Sequence, residues 1–455
     1  MTYVGVDIGG TNIEMALVQS SGKILGRSRR RTPRGGKPAQ VLQCLFEGIE
    51  ELLQQTGVKS SSLAGIGIGV AGPVDPEKGR VVVTPNMHLS GLKIAGPVRK
   101  WFGVPTVIGN DVNAGVLGEA WLGSARGTQS AVSIFVGTGI GGGLICHGQL
   151  VTGARNTAGE IGHIVMDPSG GPRCGCGRRG CLEALASRTA IERDIRQAVA
   201  AGRKTVLTEM LDGDLRVIRS KSLRKALDRK DKLVTEVMAR ASQQLGYACV
   251  TVRHLVDPEV IILGGGVIEA CGDFMMPIVK RILQERSMPG TSGPAKVVQS
   301  ALGDDAGVLG AVALAQLMLG HRRTLELDEI TYPHLSAGRT GEVSVDAELC
   351  PTDIYVRADG KVKKLKKVTS NRRKSVVRQV GLEELKKVCK GSPQTLIVGI
   401  GVGKSAPPDG LTKEGQAYLR KHDIALKVLP IPRAVREYNR TKGPKAALMH
   451  FAGAP

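Results

Sequence analysis

The sequence predicts an α/β protein: two related lobes around a cleft, followed by a separate, smaller α/β domain. Three observations carry this. A three-strand meander followed by strand–helix pairs occurs twice, from residue 3 and again from residue 130. At 455 residues the chain is too long for one core. Near residue 321 the composition turns polar, irregular and strongly basic.

The elements follow in order. "YVGVDIGGTNIEMALVQSSGKILGRSR" alternates apolar and polar residues around glycine-rich turns, which predicts three antiparallel strands. "PAQVLQCLFEGIEELLQQTG" has helical spacing and stops at glycine. "AGIGIGVAGPVD" is a strand entering a Gly-Pro turn, and "PTVIGNDVNAGVLGEAWLG" is a short strand, a polar turn and a helix. "SAVSIFVGTGIGGGLICHGQLVTG" is a hairpin. Helices are predicted at about 186–200 and 232–254, then strand, triple glycine and helix in "PEVIILGGGVIEACGDFMMPIVKRILQE". The small-residue helix "AGVLGAVALAQLML" closes this domain near residue 320. The expected domain 1–320 has a small lobe (about 1–120 plus that returning helix) and a large lobe (about 121–300). Residues 321–335 read as a linker. Residues 336–455 read as a basic α/β domain with helices "LEELKKVCK" and "KEGQAYLRKHD" and strands "QTLIVGIGVG" and "IALKVLP".

Composition narrows the function. Aromatics at 3% argue against a stacking platform for single-stranded nucleic acid. No apolar run reaches membrane-spanning length, so no membrane partner is expected. "MTYVGVDIGG" reads as a strand and not as a signal peptide, which makes the cytoplasm the expected compartment. Nine cysteines in so long a chain are no disulfide scaffold. Cys44, Cys146, Cys249, Cys271, Cys350 and Cys389 read as small buried hydrophobes. The net charge of +22 is denser in the tail: residues 321–455 hold 26 Lys/Arg against 14 Asp/Glu, leaving 37 against 27 before them. The runs "KVKKLKKVTSNRRKSVVR" (361–378) and "RSRRRTPR" (27–34) read as solvated faces, with contact to nucleic acid or another polyanion as the alternative.

Five motifs carry chemistry. In "DIGGTN", Gly9 and Gly10 let backbone amides approach phosphate, Thr11 offers a hydroxyl beside Asn12, and Asp7 suits a hydrated Mg²⁺. Alone it is also a plain hairpin turn. "GTGIGGG" (137–143) contains a formal G-x-G-x-x-G, but a strand follows instead of a helix, so a dinucleotide fingerprint is rejected. A second phosphate-facing turn at Gly137, Thr138 and Gly139 fits better. "ILGGGV" places Gly264, Gly265 and Gly266 between strand and helix, open to an anionic or flat ligand or forming a tight turn without one. In "GNDVNAG", Asn110 and Asp111 either cap the following helix or supply a general base for phosphoryl transfer. Finally, His163 with Cys174, Cys176 and Cys181 makes a Cys₃His set for structural zinc. The C-x-C spacing is tighter than usual, isolated thiols are the alternative, and a disulfide is disfavoured by compartment. Glu160 and Glu183 flank the set and either face solvent or serve the loop that zinc would organise.

In this order, "DIGGTN", "GVAGPVD", "TPN", "GNDVNAG", "GTGIGGG", "AGEIGH", "CGCGRRGCLE" and "ILGGGV" resemble the ROK family of repressors and sugar kinases, from residue 3 to about 318. The resemblance implies the two-lobed actin/hexokinase-like ATPase fold, built of duplicated ribonuclease H-like lobes. It implies an ATP-dependent hexose kinase, glucokinase-like first, with N-acetylhexosamine and fructose kinases as alternatives. Asp111 would be the base acting on the sugar 6-hydroxyl. Asn110, Glu160, His163 and Glu183 would hold other hydroxyls, with Asn86 of "TPN" in the same pocket. "DIGGTN" and "GTGIGGG" would grip the ATP phosphates with Mg²⁺, and "GGGV" the adenosine. A homo-oligomer, dimer or tetramer, is implied too. Polyphosphate is an alternative donor. The competing class is a sugar-responsive regulator whose basic tail contacts nucleic acid or a protein. Repressor members carry a helix-turn-helix ahead of the kinase-like region, whereas this sequence opens on the first strand. The tail, over about 335–452, more weakly resembles a small α/β family that includes respiratory-complex assembly factors, through "LIVGIGVG" and Ala434, Tyr438 and Asn439. "GVGKS" is no Walker A loop, because Val398 stands where glycine is required. A basic groove near Lys404, Arg433 and Arg436 is weighed against a solvated face.

Overall fold

Two five-stranded sheets of the same topology account for the duplication. In the small lobe, β1 (Thr2–Ile8), β2 (Asn12–Gln19) and β3 (Ile24–Arg31) form a meander, followed by α1 (Pro38–Thr56) and β4 (Leu63–Val70). A ribbon of β5 (Val74–Asp75) and β6 (Arg80–Val81) leads to α2 (Ala95–Phe102), β7 (Thr106–Asn110) and α3 (Asp111–Leu122). The sheet order is β3-β2-β1-β4-β7, with β4 parallel to both β1 and β7. The large lobe repeats it with β8 (Ala131–Val136), β9 (Ile140–Cys146) and β10 (Gln149–Leu150). Helices α4 (Leu182–Ala186), α5 (Arg188–Ala200), α6 (Val206–Met210), α7 (Ser220–Asp228) and α8 (Lys232–Val256) follow, then β11 (Val260–Gly264), α9 (Gly266–Arg286) and β12 (Lys296–Gln299). Its order is β10-β9-β8-β11-β12, with β11 parallel to both β8 and β12. This computed structural model describes residues 1–33, 38–84, 89–289, 296–322, 332–338, 342–350, 353–358, 360–364, 380–390, 393–400, 411–422, 424–441 and 445–450.

Helix α10 (Asp305–Met318) returns to the small lobe and lies on β1, β4 and α3. Strand alternation sorts β1 between two cores. Val4, Val6 and Ile8 face a cluster with Leu45, Ile49 and Leu52 of α1. Tyr3 faces the other cluster, with Val308 and Val312 of α10 and Val116 of α3. Small residues bring backbones together on that face. A Cβ at Gly67 would stand 1.8 Å from the Ala311 carbonyl oxygen, and one at Gly310 would stand 1.6 Å from that of Ala114. The same alternation carries Asp7 toward the start of α10, where a Cβ on Gly307 would lie 2.2 Å from its carboxylate.

The chain crosses between lobes twice, after α3 and before α10. Glu119, fully buried, joins the two crossings. Its carboxylate accepts from the Ser124 amide at 2.7 Å, the Ser300 hydroxyl at 2.6 Å and the Leu302 amide at 3.0 Å. Ser124 Oγ in turn donates to the Gln299 carbonyl at 2.8 Å.

Met1–Glu326 and Leu327–Pro455 are separate compact units. The second holds a ribbon of β13 (Leu335–Ala337), β14 (Val343–Val345) and β15 (Glu348–Cys350). Then come β16 (Ile354–Val356), β17 (Val362–Lys364), α11 (Leu382–Val388), β18 (Thr395–Ile400), α12 (Lys413–Lys421), β19 (Ala425–Leu429), α13 (Ile431–Arg440) and β20 (Lys445–His450). The larger sheet runs β17-β16-β20-β18-β19. Leu335, read as linker from sequence, is fully buried here, because Asn439 grips its backbone with Nδ2 to O at 2.7 Å and N to Oδ1 at 3.2 Å. Val398 lies buried inside β18, as a strand requires and a phosphate loop does not. Lys404 and the basic run beyond Lys364 lie outside the described residues. Arg433 and Arg436 are exposed on α13. One cysteine expectation needs correcting. Cys249, Cys271 and Cys389 are buried, but Cys44, Cys146 and Cys350 are only half-buried, the last two at the ends of strands.

Candidate active site

Strand β7 ends at Asn110 and α3 begins at Asp111, so both side chains project from the carboxyl edge of parallel strands. The capping and functional readings of this turn coexist. Asn110 Oδ1 accepts from the Val112 amide at 2.9 Å and the Asn113 amide at 3.0 Å, and Nδ2 donates to the Gly72 carbonyl at 3.2 Å. Asp111 also binds the Val112 amide, through Oδ1 at 2.9 Å. Burial pushes the Asp111 carboxyl up to about 6 against that hydrogen bond, and Glu160 adds repulsion. Beside it, Asn110, Asn113, Gly141, Gly142, Asn156 and Glu160 line a small cavity.

Asp7 lies near enough to Asp111 to feel its charge. Burial pushes its carboxyl up to about 7, with Asp111, Glu14 and Asp304 adding repulsion. Buried carboxylates short of countercharge are a donor set that fits a hard cation such as Mg²⁺. The adjoining turn closes through the Gly9 amide to the Asn12 carbonyl at 3.0 Å and is braced by Thr32 Oγ1, which donates to the Gly9 carbonyl at 2.6 Å. Gly10 and Thr11 are exposed at its tip.

The second turn, Gly137–Gly139, joins β8 to β9. Arg188 Nη2 donates to Thr138 Oγ1 at 2.9 Å, and Thr189 Oγ1 donates to the Thr138 carbonyl at 2.8 Å. Sequence reasoning missed Arg188 and Thr189, which no spacing ties to a turn fifty residues away. In the third glycine motif, Gly265 has φ +82 and a Cβ there would sit 2.7 Å from the Val136 carbonyl, while one on Gly264 would strike the Phe135 ring. Tight packing against β8 therefore accounts for these two glycines. Gly266 is open, the nearest atom to its Cβ position being Ser220 Oγ at 3.9 Å.

His163, Cys174, Cys176 and Cys181 converge, their ligand atoms all within 4.8 Å of one another. All nine cysteines are free thiols. Tetrahedral zinc with Zn–S of about 2.3 Å sets its sulfurs ~3.8 Å apart. Cys176 and Cys181 Sγ are 3.8 Å apart, and Cys174 Sγ is 3.7 Å from His163 Nδ1. These residues fit the ion. The other ring nitrogen, Nε2, lies 3.9 Å from the Glu160 carboxylate. Burial raises the Glu160 carboxyl, His163 opposing and Glu183 adding. Glu183 turns to the hairpin: Oε2 accepts from the Ile140 amide at 2.9 Å, and Oε1 lies 3.5 Å from Cys174 Sγ. Asn86 lies outside the described residues.

The duplicated sheets and the cleft-edge carboxylates define a two-lobed protein of the actin/hexokinase-like class. The chain belongs to the ROK family, whose model it matches over residues 3–317. It is 35% identical over 321 residues to a glucokinase of Thermotoga maritima, covering 70% of this chain and 99% of that one. A ROK family glucokinase from Streptomyces griseus, solved with glucose and AMPPNP, is 30% identical with a TM-score of 0.62, over 70% of this chain and 99% of that one. A ROK family transcriptional regulator, a homologue of the E. coli Mlc protein, is 28% identical with a TM-score of 0.61, over 69% of this chain and 78% of that one. The second unit lies beyond the family match.

Proposed function

We propose that the first unit is an ATP-dependent hexose kinase, with glucose as its first substrate and Asp111 as general base. The observation that carries this is that Asp111, buried at the end of β7, is electrostatically linked both to Asp7 beside the Gly9–Asn12 turn and to Glu160 of the polar cavity. A base for phosphoryl transfer must stand close to both acceptor and donor. Similarity to two glucokinases, one solved with glucose and AMPPNP, supports the same reading.

In the reaction, Asn110, Glu160 and His163 hold sugar hydroxyls in the cavity while Asp111 faces the 6-hydroxyl. As that oxygen attacks the γ-phosphorus in line, its proton passes to Asp111; the phosphoryl group moves to the sugar and ADP leaves. The amides of the turns at Gly9–Asn12 and Gly137–Gly139 take the spreading phosphate charge. Mg²⁺ bound with ATP beside Asp7 would neutralise part of that charge. Zinc on His163, Cys174, Cys176 and Cys181 would supply a rigid anchor that leaves His163 Nε2 turned to the cavity.

The test is a coupled assay over glucose, N-acetylglucosamine, N-acetylmannosamine and fructose with ATP, and glucose with polyphosphate. Asp111→Asn is expected to lose turnover about a hundredfold to ten-thousandfold, with glucose binding retained by calorimetry. Full activity in that variant rules out the assigned base.

A further inference from the structure

One polar atom beside the cavity has no partner. Asn113, the third residue of α3, is 8% exposed, and its amide oxygen is buried with no hydrogen-bond donor in reach among the described residues. A buried amide oxygen left unpaired forfeits the hydrogen bonds it makes to water in the unfolded chain. Such groups are rare in native structures, and a bound water, ion or ligand is what commonly completes one. The helix explains its aim. Side chains in the first turn of a helix lean toward its N-terminus, and here that end is the cavity Asn113 lines together with Asn110, Gly141, Gly142 and Glu160. Its own backbone amide is already held by Asn110 Oδ1 at 3.0 Å, so the residue is fixed in place while its side-chain oxygen is unused.

We propose that Asn113 is a sugar-binding residue that takes one hydroxyl of the hexose, supplementing Asn110, Glu160 and His163. An amide both accepts and donates, so it fits a neutral hydroxyl, which does both as well. A carboxylate at this place would add a further negative charge beside Asp111 and Glu160; an amide recognises the hydroxyl without pushing the base higher. Asn110 is largely occupied by its own helix and Gly72, so its neighbour one turn on is the amide with capacity to spare. The inference rests on the kinase reading above for the identity of the ligand, a hexose.

The experiment compares wild type with Asn113→Ala and Asn113→Ser on glucose and on its 1-, 2-, 3- and 4-deoxy analogues, scoring kcat/KM, and scoring binding separately by calorimetry. Circular dichroism and thermal melting check each variant's fold; Asn113→Ser keeps a small polar side chain in case the alanine variant does not fold. The expected result is a loss of about tenfold to a hundredfold on glucose, shrinking to about twofold or less on the one analogue that lacks the partner hydroxyl. An equal loss on all five sugars means that Asn113 only supports the helix, and overturns the inference. Wild type that phosphorylates none of the sugars defeats the kinase reading instead. Calorimetry on the same sugars then still decides whether Asn113 meets a hydroxyl.

Discussion

The base proposed here, Asp111, sits in surroundings that raise its affinity for a proton. An ordinary aspartate, with a pKa near 3.8, is a weak proton acceptor, whereas burial has pushed this one to about 6. Since the base must be ionised, kcat/KM is expected to rise with pH through a midpoint near 6 and then level off. The same shift predicts a stability effect. The group ionises near 3.8 when unfolded and near 6 when folded, so folding takes up a proton between these values and stability falls as pH rises through them. Asp111→Asn is therefore expected to be more stable than wild type at pH 7.5, by about 3 kcal/mol, with the gap gone below pH 4. Thermal melts at the two pH values check this, and a variant less stable at pH 7.5 sinks it. At this scale the sequence was partly legible. Motif order pointed to Asp111, Glu160 and His163, but not to Arg188 or Asn113: a hydrogen bond to a turn fifty residues away and an orphaned oxygen exist only in three dimensions.

The loop that carries the His163, Cys174, Cys176 and Cys181 cluster is the element on which the proposed zinc would act. Residues 164–181 contain glycines, turns and the 3.8 Å sulfur pair, with Cys174 and Cys181 buried and only Ile164 and Met166 packed, half-buried, against the large-lobe core. Such a segment lacks enough buried surface to order itself, and burial raises the Cys174 and Cys181 thiols, so thiolates there need a cation beside them. The loop carries His163, whose Nε2 faces Glu160, and it adjoins Glu183, which holds the Ile140 amide of the hairpin. Cys176→Ser is expected to lose bound metal by elemental analysis and to raise the KM for sugar about tenfold, with the KM for ATP nearly unchanged. Equal rises in both would mean that the ion holds the whole lobe and not the sugar side alone. The elements themselves were legible wherever periodicity was strong, as in the two meanders and the long α8. The Glu119 clamp was not, since a glutamate inside an apolar helix stretch reads as a flaw until the amides of both lobe crossings are brought to it.

Over the whole molecule, the basic balance reads differently once partners are known. Of the arginine-rich run, Arg27 pairs with Asp305, Arg29 with Glu14 at 2.9 Å, and Arg30 with Glu47 at 2.8 Å and Glu51 at 3.0 Å. Three arginines of this run are thus paired with carboxylates on neighbouring elements, exposed pairs of the kind that contribute little each to stability. No described helix is long and apolar enough to cross a membrane. Every described residue of the proposed site lies in Met1–Glu326, and this unit has its own cores, with Val132, Leu245 and Ile261 in one and Val6, Ile49 and Ile68 in another. The second unit is likewise furnished with Leu385, Leu396 and Leu448 in one cluster and Ile397, Val435 and Tyr438 in another. A unit with a complete core folds by itself, and a site wholly within it keeps its geometry. A protein ending at Glu326 is therefore expected to fold and to phosphorylate glucose with kcat/KM within about twofold of the full chain, measured in the same coupled assay. A shorter protein that melts cooperatively yet turns over no sugar would show that the tail takes part in the reaction, and that the site described here is incomplete without it.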